Sequence, residues 1–255
     1  MVTLKSDAEI ATMREAGRIV ARTLAAVAAA ARPGVRLVDL DELAAEVIAA
    51  EGAKPSFLGY HPTWAPRPYP GVLCLSVNDA IVHGIPDRRE LVEGDLLSID
   101  CGAHVDGYHG DSAVTIGVGE IDPAAGRLRD TAEAALAAGI ANARPGARLG
   151  DIAHAVEQVV RAARYGLPAG LGGHGIGQAM HEDPPVPNTG SPGRGMVLRE
   201  GLVLAIEPML VEGGRDRCRT LADGWTIVTT DGSRAAHAEH TVAVTSAGPV
   251  ILTAR

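Results

Sequence analysis

A ten-residue segment occurs twice in this chain, and that repeat constrains the fold more than any other feature. Residues 31–40 read ARPGVRLVDL and residues 143–152 read ARPGARLGDI, with Ala, Arg, Pro, Gly, Arg, Leu and Asp unchanged. Each copy follows an Ala-rich helical stretch (about 6–31 and about 123–143) and precedes a second amphipathic stretch, Leu40–Glu51 and Ile152–Arg164. Pro-Gly ends the first helix of each pair, because proline lacks the N–H and glycine tolerates the turn. Asp39 and Asp151 read as N-caps of the second helix, with Glu42 three residues on in the first copy. Ser6 with Glu9 reads as a capping box at the start of the chain. A second echo follows in the same order, His83-Gly84-Ile85 and His174-Gly175-Ile176. Two echoes in one order predict two related halves, about 1–120 and 121–255, within one domain spanning 1–255.

After its helices each half turns to strand-like sequence. Asp95–Ala103 and Tyr108–Val118 are apolar and β-branched, separated by a turn at Val105-Asp106-Gly107. Gly201–Ile206, Trp225–Thr230 and Thr241–Thr245 read as strands in the second half. The expectation is an α+β fold in which helices cover an antiparallel sheet. HPTWAPRPYPG at 61–71 holds four prolines and reads as an irregular loop, as does the Pro/Gly-rich stretch Met180–Gly195.

Composition narrows the class. The chain has 255 residues, a formal charge of −8, and 46% hydrophobic against 21% charged residues, which excludes wholesale disorder. No basic excess exists to neutralise phosphates, so no nucleic-acid partner is expected. No apolar run reaches the roughly 18–20 residues of a membrane span. Asp7, Glu9, Arg14 and Glu15 interrupt the N-terminus where a secretion signal needs an apolar block. Cys74, Cys101 and Cys218 form no CxxC pair, which excludes a thiolate zinc site and a disulfide framework. A cytoplasmic protein is expected, monomeric by default for lack of a coiled coil.

The carboxylates are the anomaly. Folding the first hairpin places Asp100 opposite Asp111 or one diagonal step away, about 4.5–8 Å apart, where like charges destabilise. On this pair alone, an Asp100 that points to solvent and caps a loop explains the sequence equally well. Glu207, however, closes another apolar run, LVLAIE, and Glu239 sits in HAEHTVAV where a strand begins. An unpaired charge in such segments is costly. His174 lies in the glycine-dense LGGHGIG, where backbone can approach a ligand closely. Four carboxylate charges balance two divalent cations. A donor set of oxygens with one imidazole suits Co, Mn or Fe(II), with Zn as the alternative.

The motifs GYH (59–61), VHGIP (82–86), SIDCG (98–102), GYHGDSA (107–113), GGHGIG (172–177), MHEDPPVPN (180–188), AIEPM (205–209), DGWT (223–226) and EHTVAV (239–244) together resemble the type I methionine aminopeptidases, which have the pita-bread fold. The resemblance implies that Asp100, Asp111, His174, Glu207 and Glu239 are ligands of two divalent ions, with Asp111 and Glu239 bridging. It implies that His83 and His181 contact substrate, and that Glu207 relays the proton of a metal-activated water as general base and then general acid. His181 would donate to the developing oxyanion and His83 would assist transfer to the departing nitrogen. The reaction implied is removal of the initiator methionine from nascent chains whose second residue is small, with the ribosome surface as a further partner. The methionine pocket would include Tyr60, Tyr69, Cys74 and Trp225, with Phe57 and Met180 beside them. Against the family pattern, His61 and Tyr69 are separated by seven residues where one is usual. Met180 precedes His181 where a larger aromatic is frequent, and His237 stands two before Glu239 where glutamine is common. The rivals are an Xaa-Pro-type pita-bread peptidase and a non-catalytic module of the same fold.

Overall fold

The computed structural model describes residues 2–254. Helix α1 (Asp7–Ala30) starts where Ser6 and Glu9 predict. The Glu9 carboxylate accepts from the Ser6 N–H at 2.7 Å, and the Ser6 hydroxyl accepts from the Glu9 N–H at 3.4 Å. Pro33-Gly34 follows, with Gly34 at φ 89°, and helix α2 (Leu37–Ala50) begins two residues before the predicted cap. Asp39 is therefore the third helical residue, and its carboxylate reaches back to the Arg36 N–H at 3.3 Å. Asp151 does the same in the second copy, accepting from the Arg148 N–H at 2.7 Å. Arg36 and Arg148 carry no side-chain acceptor with which to cap, so the helix start is closed from its third position instead.

Short strands β1 (Lys54–Pro55), β2 (Leu73–Val77) and β3 (Ala80–Val82) lead to a long hairpin of β4 (Leu96–Val105) and β5 (Tyr108–Gly117). The turn is Asp106-Gly107 alone, at φ 49° and 80°, a geometry that matches the strand twist; Val105 pairs with Tyr108 as the last rung. β4 pairs with β5 along one edge and with β2 and β1 along the other. Helices α3 (Pro123–Ala141) and α4 (Leu149–Ala162) open the second half, α3 capped by an Asp122 carboxylate that accepts from the Ala124 and Ala125 N–H groups. Then come β6 (Gly172–Gly175), β7 (Glu182–Pro187), β8 (Val203–Ile206), β9 (Met209–Val211), β10 (Cys218–Thr220), β11 (Ile227–Thr229), β12 (Ala235–His237), β13 (His240–Thr245) and β14 (Gly248–Ile251). Five of them form an antiparallel sheet in the order β14-β13-β8-β6-β7, while β10-β11-β3 and β12-β9 form smaller ladders. The expected single sheet is thus several. β7 lies inside the stretch read as loop; its Pro184, Pro185 and Pro187 are tolerated because it is an edge strand.

The repeated decapeptides make the same backbone bonds. Gly34 donates to Leu91 and Leu91 to Val35; Gly146 donates to Leu198 and Leu198 to Ala147, all between 2.7 and 3.0 Å. The second echo ends differently: His83 follows β3 at φ 58°, whereas His174 lies within β6. Ile19, Val20, Leu24, Leu40 and Ile48 of α1 and α2 pack with Leu73, Leu75, Leu97 and Ile99. Leu128, Leu136, Ile152 and Val156 of α3 and α4 pack with Leu204, Ile206, Val242 and Val244. At about 1.5–3 kcal/mol per buried aliphatic side chain, this packing rather than helix propensity holds the helices. Between the two large sheets the Glu239 N–H donates to the Ala113 carbonyl at 2.9 Å. The Thr241 hydroxyl accepts from the Asp111 N–H at 2.9 Å and donates to the Asp111 carbonyl at 2.8 Å. Among the described residues no helix is long and apolar enough to cross a membrane.

The α1 cap carries a pH signature. The Tyr108 hydroxyl, and then Ser6, lower the Glu9 carboxyl from 4.5 to about 2. A depressed carboxyl stabilises above its unfolded value and loses that contribution as pH falls through the folded one. Glu9→Gln is therefore expected to be less stable than wild type at neutral pH, with the gap closing between 4.5 and about 2. Urea unfolding of both proteins across that range checks it; a gap that persists at the acid end would assign the loss to packing.

Candidate functional site

The alternation of β4 and β5 puts Asp100 and Asp111 on one face. Asp111 pairs with Gly102 and Asp100 with Ala113, so the two carboxylates stand one diagonal step apart. The Ala113–Glu239 bond brings Glu239 beside them. Glu207 directly follows β8, and its neighbour Ile206 pairs with His240; His174 on β6 pairs with Ala205 of β8. Adjacent strands β6, β8 and β13 thus deliver one side chain each to the face of the first hairpin.

Asp100, Asp111, His174, Glu207 and Glu239 all line one cavity of about 440 Å³. His174 Nε2 lies 3.6 Å from Glu207 Oε1 and 3.9 Å from Asp111 Oδ2. The donor atoms of Asp111, His174 and Glu239 fall within 4.8 Å of one another. His237 completes a second trio with Glu207 and Glu239, its Nε2 3.4 Å from the first and 3.9 Å from the second. No role was expected for it, although its place two residues before Glu239 was the available signal, since alternate residues of an extended chain share a face.

Burial pushes Asp100 up to about 7 and Glu207 up to about 8. Asp111 and Glu239 rise well above the carboxylate range through burial and the charges of their carboxylate neighbours. Asp100 Oδ1, Asp111 Oδ1 and Glu239 Oε1 are buried without a protein hydrogen-bond partner. Acceptor-only groups so placed need protons or cations, and an oxygen-rich set with imidazole fits divalent ions. His174 fits too. Its Nδ1 bonds the Gly175 carbonyl at 2.9 Å, which assigns the proton there and leaves the Nε2 lone pair facing the carboxylates. Burial lowers this histidine to about 4, so the ring is neutral at ordinary pH.

His83 and His181 line the same cavity. Burial lowers His83 to about 4; desolvation by the surrounding protein, then the neighbouring His174, lowers His181, which is still exposed to solvent, to about 3, so each ring keeps one donor and one acceptor. Tyr60 stacks on His181 with centroids 5.2 Å apart, and His181 lies 4.0 Å from His174. The left-handed backbone of His83 precedes Gly84, where an added Cβ would meet the Leu75 carbonyl at 2.2 Å. The Tyr69 hydroxyl reaches the Gly84 carbonyl at 2.8 Å and so braces this corner. Tyr60, Tyr69, Cys74 and Trp225 line the cavity, with Phe57 and Met180. All but Tyr60 are buried. Val82, Met209 and Ile227 also contribute; β11, which carries Ile227, lies within the Trp225–Thr230 run read as a strand, whereas β3 and β9 went unread because three residues carry too little periodicity.

The sequence profile of metallopeptidase family M24 matches residues 11–246. The chain belongs to this family. It is 52% identical over 260 aligned residues to methionine aminopeptidase 1 of Mycobacterium tuberculosis, covering 99% of this chain and 95% of that protein. The crystal structure of methionine aminopeptidase from Thermotoga maritima superposes with a TM-score of 0.95 at 41% identity, each chain covered in full. Prolidase from Pyrococcus furiosus reaches a TM-score of 0.79 at 21% identity, covering 99% of this chain and 65% of that one, and shares the fold alone. The M24 chain described here therefore has the expected pita-bread fold, and its resemblance to methionine aminopeptidases runs its full length.

Clustered carboxylates make metal-free protein sensitive to pH in a direction opposite to Glu9. Raised carboxyls bind protons in the native state that the unfolded chain releases, so stability falls as pH rises toward about 7 and 8, the values of Asp100 and Glu207. In EDTA, Asp111→Asn is expected to be more stable than wild type at about pH 8, by about 1–2 kcal/mol, with a smaller gap at about pH 5. Added Mn(II) should stabilise wild type and not the variant. Scanning calorimetry with and without chelator reads both effects; identical midpoints throughout would mean that the charges do not repel.

Proposed function

We propose that this chain is a dinuclear metallo-aminopeptidase that removes N-terminal methionine from peptides whose second residue is small. The observation that carries the reading is the meeting of four carboxylates and an imidazole at one wall of a cavity whose remaining lining, apart from His83, His181 and Thr220, is apolar and aromatic. Asp100, Asp111, His174, Glu207 and Glu239 would hold two divalent ions, Co, Mn or Fe(II) with Zn as the alternative. Asp111 and Glu239, joined across the seam, would be the shared ligands. Bound there, divalent ions lower the pKa of water and polarise a carbonyl oxygen, which supplies a nucleophile near neutral pH.

The protein's own groups do the rest. Glu207 takes the proton of the attacking water and returns it to the leaving amine. His181, held below the usual histidine range and so neutral, donates its N–H to the oxygen on which negative charge develops. His83, whose buried Nδ1 has no protein partner, positions the substrate amide and assists transfer to the departing nitrogen. Tyr69, Cys74, Met180 and Trp225, with Phe57 and Tyr60, receive the methionine side chain through dispersion and sulfur–aromatic contacts. Among the described residues the only charged side chains lining the cavity are the four carboxylates, and no lysine or arginine faces it, so an acidic first residue has no partner there. The substrates are nascent polypeptide N-termini, met in the cytoplasm by a monomer that contacts the ribosome through its domain surface.

Hydrolysis of Met-Ala-Ser and Ala-Pro peptides, with a panel of divalent salts and EDTA, tests the reading: methionine release that chelation abolishes is expected. Preference for the proline peptide would favour the Xaa-Pro rival, and no turnover with any metal the non-catalytic one. Glu207→Gln should lower kcat about 10²–10⁴-fold. His181→Ala should lower kcat about 10²–10³-fold while leaving Mn(II) affinity by calorimetry near wild type. Parallel loss of turnover and affinity would instead make His181 a metal ligand.

A further inference from the structure

Trp64 stands apart from the other aromatic side chains of the cavity wall. Phe57, Tyr69 and Trp225 are buried, as are Cys74 and Met180, but Trp64 is 60% exposed and, among the described residues, is the one aromatic ring in the group of exposed large hydrophobic side chains. Its indole lies over His83, with ring centroids 6.2 Å apart and planes 20° from parallel, and its edge meets Trp225 at 5.0 Å. It therefore marks the rim of the cavity on the side of one of the two substrate histidines.

The loop that carries it is built to hold it there. The Tyr69 N–H donates to the Tyr60 carbonyl at 2.8 Å and the Gly59 N–H to the Tyr69 carbonyl at 2.9 Å, which closes the base. Within the loop the Ala65 N–H donates to the Pro62 carbonyl at 3.0 Å, and His61 Nε2 bonds the Ala65 carbonyl at 3.2 Å. The indole N–H of Trp225 donates to the Arg67 carbonyl at 3.0 Å, and Pro66 fills the space that a Cβ on Gly224 would need. Pro62, Pro66, Pro68 and Pro70 further limit the backbone. A large ring held in water on a stiff loop has its ordering cost already met, which is the property of a binding surface rather than of a loop tip.

Which part of a ligand would cover it follows from the gradient of burial. If the methionine side chain fills the buried end and the scissile bond lies at the carboxylates and His83, the peptide leaves the cavity past its exposed rim. We propose that Trp64 is a specificity-determining residue that packs on the substrate beyond the scissile bond, on its second and third residues, and so favours peptides over single methionine derivatives. This rests on the aminopeptidase reading above. It assigns a use to the long His61–Tyr69 connection that the methionine pocket does not require.

The test compares wild type, Trp64→Ala and Trp64→Phe, each loaded with Mn(II). Three quantities are read: KM and kcat for Met-Ala-Leu, and Ki for methioninol, which can occupy only the methionine side. Trp64→Ala is expected to raise the peptide KM about tenfold with little change in kcat, leaving the methioninol Ki near wild type. Trp64→Phe, which keeps a ring, should lie close to wild type. Trp64→Gln serves as a second truncation that retains volume should the alanine variant fold poorly. If KM and Ki rise together, Trp64 belongs to the methionine pocket and the inference fails; if neither moves, the indole is a bystander and it fails as well. Wild type that releases no methionine from Met-Ala-Leu would bring down the aminopeptidase reading itself, an outcome distinct from cleavage without a KM shift.

Discussion

Two backbone contacts across a seam set the positions of everything else at the site. Glu239 and Ala113 exchange hydrogen bonds between the hairpin sheet and the five-stranded sheet, and the Thr241 side chain brackets both polar groups of the Asp111 backbone. These contacts are neutral and local. They nevertheless fix where two acidic side chains end up, because Asp111 and Glu239 are carried by the residues that form the seam. The side chains themselves oppose the arrangement: buried, mutually repelling carboxylates raise one another's affinity for protons. The opposition is overcome by the apolar packing of α1–α2 and α3–α4 on either side, which is large compared with any one electrostatic penalty. A fold that invests packing energy in bringing like charges together is poised to bind cations, since only they convert the repulsion into cohesion.

The neutral histidines follow from the same burial. Desolvation disfavours imidazolium, and His83, His174 and His181 are all held well below the usual histidine range. A protonated ring beside bound cations would repel them. A neutral ring offers a lone pair, as His174 does at Nε2 while its Nδ1–H donates to the Gly175 carbonyl, or an N–H for a developing oxyanion. One cause, exclusion of water, thus raises the acids and lowers the bases, and both shifts suit a cationic centre.

Much of this was legible before the coordinates. The decapeptide repeat announced two helix pairs because Pro-Gly stops and amphipathic restarts are local chemistry. The hairpin announced the Asp100–Asp111 juxtaposition because a two-residue turn fixes register. Helix starts were misplaced by three residues at Asp39 and Asp151, since a third-position carboxylate and an N-cap carboxylate leave the same trace in a sequence. β7 was hidden by its prolines, which exclude a central strand but not an edge one. His237 escaped because a histidine beside a glutamate reads as surface until the strand is seen to be buried. The small strands that carry Val82 and Met209 left no periodicity to read, whereas the one that carries Ile227 lies inside the apolar run at Trp225–Thr230.

Fold and specificity separate cleanly here. A prolidase shares this architecture at 21% identity, so the backbone that gathers the side chains does not by itself choose a substrate. The choice must reside in the wall: the proline-rich connection between His61 and Tyr69 docks on Trp225 and Gly224 outside the two main apolar clusters, and its Ala65 and Tyr69 join Phe57, Cys74, Met180 and Trp225 in a smaller one. His237 is the converse case. Buried against Glu207 and Glu239, it bears directly on the carboxylates: an apolar residue there would remove the imidazole nitrogen that lies 3.4 Å from Glu207 Oε2, and an acidic one would add to the repulsion. Sequence freedom therefore grows from the seam outward, and the rim, where Trp64 meets water, is where a chain of this kind can alter what it accepts while keeping what it does.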